Sequence, residues 1–261
     1  MTLSATRIAH ELARTFLSWR AIPIALFIAV PIIYGLSTSA TFRDPMAAFA
    51  HSLGGPATLV FAIVAVGIAV LPFSAEWKDH FIGIVRTRTS LRAYAADKFV
   101  ANFISVFAVF FLFAFVAAVF FLFLQPALGV AYEPSPGSTA PANRSRLGGA
   151  YEISPLLYAV VYSAVMGLVA ALFASIGFLC LFVFKSRVLA LAIPFLLFVA
   201  QTALLFARGF DAFTFYLAFV QVGNSDAPSW TLLVPIVMLV VIIGFLLVRI
   251  RMLRGQFPGL A

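Results

Sequence analysis

Residues 74–98 read SAEWKDHFIGIVRTRTSLRAYAADK, and the fold turns on this stretch. It carries five of the seventeen Lys and Arg residues (Lys78, Arg86, Arg88, Arg92, Lys98) and three of the nine acids (Glu76, Asp79, Asp97) of a largely apolar chain. Apolar runs long enough to cross a bilayer lie on both sides of it. It is therefore read as a water-facing loop between membrane helices, and its basic excess places it in the cytoplasm. Within it Trp77, Phe81, Ile84 and Val85 recur at helical spacing beside Lys78, Asp79 and Arg86, which predicts a short amphipathic helix at the membrane surface. The pattern breaks over residues 86–89, and Thr89 or Ser90 suits the N-cap of a helix running through Tyr94 into the next span.

Composition points the same way. Of 261 residues 64% are hydrophobic, only 10% are charged and thirty are Phe, too little polar surface to cover a soluble domain. The class expected is an all-α polytopic membrane protein forming one transmembrane domain over 1–261. The net charge of +8, which in a soluble chain would suggest nucleic acid, is assigned to orientation and anionic headgroups; no nucleic-acid partner is expected. Cys180 is the sole cysteine and lies in an apolar run, which excludes disulfides and reads as a buried small residue.

From the beginning of the chain, residues 7–20 put Ile8, Leu12, Phe16 and Trp19 on one helical face and Arg7, His10, Glu11 and Arg14 on the other, the pattern of a helix lying in the interface. A signal peptide cleaved near Ala40 is the competing reading. An uncleaved anchor is preferred, because the stretch before the apolar run is long for an n-region. Six spans follow, at about 21–37, 57–73, 99–124, 156–184, 188–207 and 230–248. With both termini inside, thirteen Lys and Arg residues fall on the cytoplasmic side and four outside, so the topology expected is N-in, C-in. Residues 41–56 are read as a short outer loop. The Pro-, Ser- and Gly-rich residues 125–155 are read as a flexible one, with a weak glycosylation match at Asn143. Residues 212–222 are apolar but too short to span, which predicts a re-entrant segment, with Arg208 and Asp211 able to pair at its mouth.

The spans hold no mid-membrane carboxylate for a proton or sodium pathway, no metal-binding His, no hydrolase or protease motif and no phosphate-cradling loop. No enzymatic activity and no cofactor are expected in the chain itself. Ser163, Gly167, Ala171 and Ser175 form a small-residue stripe, with Ala65 and Ala69 a shorter one, read mainly as close packing within the chain. The Phe-rich face of the third span (Phe99, Phe103, Phe107, Phe110, Phe111) is read as facing lipid.

This layout resembles the permease subunit of type-2 ATP-binding-cassette (ABC) exporters. The likeness lies in the interfacial first helix, six spans, the basic loop between spans 2 and 3 and the outer re-entrant segment. Its most specific residues are at 76–98, where Glu76, Gly83, Arg86-Thr87-Arg88, Tyr94 and Lys98 look like that family's coupling helix and its return into span 3. The resemblance implies a separate ABC ATPase subunit that binds ATP and Mg, a second permease copy, and a substrate path between the copies. It implies a bacterial cytoplasmic membrane location and export of a hydrophobic or amphiphilic drug, lipid or antimicrobial peptide.

A physical reading stands beside it. A soluble partner delivers work to a membrane protein only through its cytoplasmic surface, and the 74–98 loop is the largest such surface. Glu76, Trp77, Asp79, His80, Phe81, Arg86 and Arg88 are the expected contacts with the ATPase subunit, with headgroup anchoring by Arg and Trp as the alternative. Two other functions remain open: an ATP-independent scaffold or immunity protein, and a channel or secondary carrier. The latter would need a polar path, for which the spans offer only scattered groups such as Tyr158, Tyr162, Ser163, Ser175 and Gln201.

Overall fold

The computed structural model describes residues 5–17, 21–37, 44–54, 56–78, 91–129, 146–184, 186–216 and 228–253. Those residues are almost all helical, with no strand among them. The helices are α1 (Ala5–Phe16), α2 (Ala21–Ser37), α3 (Pro45–Gly54), α4 (Pro56–Lys78), α5 (Leu91–Val119), α6 (Gly148–Ile153), α7 (Pro155–Phe184), α8 (Arg187–Ala207) and α9 (Leu233–Leu253). A π-helical turn, Phe120–Leu124, and a last α turn, Gln125–Ala127, prolong α5, while 3-10 turns at Asp211–Phe213 and Ser229–Leu232 precede α9. Four stretches are long and apolar enough to cross a membrane: Ala93–Ala127, Pro155–Phe184, Arg187–Ala207 and Ser229–Met252. Two more, Ile22–Ser37 and Phe61–Glu76, are apolar but shorter. On α9 the side chains of Leu233, Val237, Val241 and Phe245 stand exposed one turn apart. An apolar stripe of that length is stable only against an apolar surrounding, which makes this a membrane protein.

The core is built around α7. That helix is apolar on every side, so it has no face to offer water and is enclosed by its neighbours. Its small residues set how close those neighbours come. A Cβ on Gly167 would lie 2.8 Å from the Phe107 carbonyl oxygen of α5, and one on Gly177 would collide with Val66 of α4. The buried Ser163 and Ser175 hydroxyls donate to the Ala159 (2.6 Å) and Ala171 (2.8 Å) carbonyls of their own helix. The stripe therefore provides clearance for packing within the chain, as the sequence led us to expect, and its hydroxyls do not tie helices together. Ala65 and Ala69 of α4 are fully buried, and Cys180 is buried too.

Three expectations change. The Phe-rich face of the third span is turned inward at Phe110 and half-buried at Phe99, Phe103, Phe107 and Phe111. Phe110 is fully buried against Phe27, Phe61 and Phe113, Phe107 lies against Gly167, and Phe99 meets Phe178 edge-on. Edge and offset contacts of this kind let aromatic rings fill a core without polar groups. Residues 45–54, expected as loop, form α3: Asp44 Oδ1 accepts from Ala47 N at 2.8 Å and Pro45 opens the helix, a capped start in which both residues suit their positions. Met46, Ala48, Phe49 and Leu53 of α3 are fully buried, and Phe49 packs edge-on against Tyr158 and Tyr162. The third change is in residues 125–155, where α6 is ordered against α7 through Tyr151 and Tyr158. Residues 130–145 lie outside the described residues, as does most of the expected re-entrant segment, 217–222.

Candidate functional site

Helices α4 and α5 flank the segment 79–90, and what joins their ends is charge. Glu76 lies in the last turn of α4, beyond an apolar run that closes at Phe73. On α5, Tyr94 and Lys98 are four apart and Asp97 three beyond Tyr94, so all lie on one helical face. On α1, Arg7, Glu11 and Arg14 form a stripe of alternating sign at spacings of four and three. The stripe meets its complement in register. Arg7 Nη1 lies 3.3 Å from Asp97 Oδ2, Glu11 Oε1 lies 2.7 Å from Lys98 Nζ, and Arg14 Nη1 donates to Glu76 Oε1 at 2.6 Å.

Glu76 is the hub. Its Oε1 also accepts from Lys98 Nζ at 2.9 Å, and its Oε2 accepts from the Tyr94 hydroxyl at 2.7 Å. Only 9% of Glu76, 3% of Asp97 and 5% of Lys98 is exposed. Charges so placed persist only when paired and hydrogen-bonded, and here three carboxylates balance three cations. Burial by itself would raise the Glu76 pKa. The hydrogen bonds from Lys98, Tyr94 and Arg14 outweigh it, and the carboxyl is held below its ordinary range. Between α1 and α5 a cleft of about 290 Å³ opens over His10, Arg7, Glu11 and Asp97.

Of the residues expected to contact an ATPase, Glu76 is thus turned into the chain. Trp77 belongs to α4, but its side chain is not described, and Asp79, His80, Phe81, Arg86 and Arg88 lie outside the described residues. The structure also changes the reading of α1. Arg7, Glu11 and Arg14, assigned to the polar face of an interfacial helix, pair with Asp97, Lys98 and Glu76 of the bundle, while His10 and Arg14 keep exposed surface. The signal for this contact was present as the plus-minus-plus order of α1 opposite Asp97, Lys98 and Glu76. It shows only once the two helices are known to be neighbours.

The scattered polar groups of the spans are engaged locally. Gln201 of α8 donates to Phe213 O (2.8 Å) and accepts from Phe215 N (2.9 Å), holding the 211–216 segment on the helix, while Tyr158 and Tyr162 are fully buried among rings. Arg208 is exposed, and the charge of Asp211 acts on Arg146. Among the described residues no group of His, Cys, Asp and Glu side chains could hold a metal ion. Comparison with protein-family models, with curated proteins and with solved structures returned no match.

Proposed function

We propose that this chain is the transmembrane subunit of an ATP-driven exporter of the ABC type, receiving force from a separate ATPase at the segment that follows Glu76. The observation that carries this reading is the Glu76 hub. A lever moves a helix bundle only if its base does not yield, and here the two roots of the 79–90 segment are fastened to each other by Glu76, Tyr94 and Lys98 and to α1 by Arg14 and Glu11. A push on residues 77–85 then moves α4, α5 and α1 as one body, because packed interfaces shift between discrete arrangements and do not deform continuously. In this role Glu76 is a positioning residue, and Trp77, Asp79, His80, Phe81, Arg86 and Arg88 are the contacts.

The full reading has six spans with both termini in the cytoplasm of a bacterial cell, and residues 212–222 as a re-entrant outer segment. Two permease copies form the path, and ATP and Mg sit on the partner chain. The cargo is an apolar or amphiphilic molecule, consistent with side chains that are mostly aliphatic or aromatic. Its test is ATP hydrolysis by the reconstituted complex with the P-loop ATPase that co-purifies with the chain. Trp77→Ala and Phe81→Ala should weaken association or leave hydrolysis unresponsive to substrate, with folding intact. Unchanged coupling in both variants, or no ATPase in the purified complex, would refute the reading.

A further inference from the structure

At the end of the bundle opposite Glu76, where α7 begins, residues 146–153, 211–216 and 228–232 meet around Arg146. The residue is 4% exposed. Its carbonyl accepts from Ser229 Oγ at 2.6 Å and its Nη1 donates to Ala212 O at 2.8 Å. Nε and Nη2 are buried as well and meet no acceptor among the described residues. Burial pulls the guanidinium below its ordinary pKa, and the nearby Asp211 charge opposes this without cancelling it.

The two unmet donors are not a random pair. Nε–H and Nη2–H lie side by side along one edge of the planar guanidinium, the parallel fork that accepts two oxygens of a single oxyanion. A cation this deep with that edge unanswered is an unfavourable arrangement in an apolar protein, which argues for a counter-anion at the edge. The setting indicates its chemistry. Trp230, exposed at 58%, lies tilted against Phe213, next to Ala212, and Phe210 and Ile153 are also exposed. Exposed Trp and Phe at the end of an apolar helix mark the headgroup level of a bilayer, where phosphates lie.

We infer that Arg146 binds a phosphate group through its Nε/Nη2 edge, supplied either by a lipid headgroup or by soluble phosphate. The inference does not use the exporter reading.

The test uses the full chain, purified and delipidated in detergent. Thermal midpoints and native mass spectra are recorded with phosphatidylglycerol, with a diacylglycerol of the same acyl chains, and with inorganic phosphate. Phosphatidylglycerol should raise the midpoint and be retained where diacylglycerol does not and is not. In Arg146→Gln the affinity for it should fall about tenfold or more, the weight of a lost charged hydrogen bond. Arg146→Lys, with the charge but not the fork, should fall between. A gain with inorganic phosphate alone identifies the soluble source; a gain with phosphatidylglycerol only identifies the lipid. Equal responses to phosphatidylglycerol and diacylglycerol with no gain from inorganic phosphate, or equal responses of wild type and Arg146→Gln, overturn the inference. So does an acceptor within the chain, seen if Glu133→Gln or Asp226→Asn lowers the midpoint as Arg146→Gln does and abolishes the phosphate gain. Should Arg146→Gln not fold, the wild-type ligand series and Arg146→Lys still decide.

Discussion

Replacing Lys98 by Met keeps the side chain's length and apolar stem but removes the ammonium that sits between Glu76 and Glu11. The consequences for the two carboxylates differ. Glu11 has a quarter of its side chain in solvent and rehydrates at little cost, whereas Glu76 is enclosed and keeps only Arg14 and Tyr94. A charged hydrogen bond lost from a buried carboxylate costs about 1.5–3 kcal/mol, and an uncompensated buried charge about 3–5 kcal/mol; with two donors remaining, about 2–3 kcal/mol is expected. At about 2–4 °C per kcal/mol for a chain of this size, that lowers the thermal midpoint in detergent by roughly 4–12 °C. The double variant Lys98→Met with Glu76→Gln removes the stranded charge and should recover part of the loss, giving a coupling of at least about 1 kcal/mol. Additive losses, or a single-variant change below about 0.5 kcal/mol, would show that the hub does not hold α4 to α5.

Further outcomes follow from the same geometry. Gly167→Ala should cost about 1–3 kcal/mol of stability through collision with the Phe107 carbonyl, while Gly244→Ala, whose Cβ meets nothing, should be neutral or gain up to about 1 kcal/mol; melting curves of the pair check both. Phe49→Ala should cost about 3–5 kcal/mol, the loss for a buried ring; a neutral result would return residues 45–54 to a surface loop. Glu76 binds its proton less tightly folded than unfolded, so the stability it contributes is present above about pH 4.5 and is lost as pH falls through the lower folded value. Midpoints measured from pH 7 down to 3 should therefore fall more steeply in wild type than in Glu76→Gln. Parallel curves would contradict the lowered value.

The helical class and the cores of six apolar helices were legible in the sequence, because a lipid solvent demands long uninterrupted runs and Pro155–Phe184 and Arg187–Ala207 supply them with sharp ends. Where polar and apolar letters mix, reading failed in two ways. Residues 45–54 are too short to span and fall where the composition suggests a loop, although Asp44-Pro45 before them and Gly54 at their close are a helix start and stop. The orientation of α1 and of the Phe face of α5 could not be settled from periodicity, since a period gives a face and not the neighbour it turns toward. Glu76 was recognised as important for a contact outside the chain. Its partners, Tyr94 and Lys98 on the same loop's far root and Arg14 from α1, come into reach only through the α4–α5 hairpin and the docking of α1.

Everything proposed about force transfer requires the segment between α4 and α5 to face the cytoplasm. The chain's lone Cys180 is buried, so a single cysteine introduced as Gly83→Cys can be read without interference. In intact cells it should resist a membrane-impermeant maleimide and should react in inverted membrane vesicles. Labelling from outside intact cells would put the segment on the wrong face for a cytoplasmic ATPase.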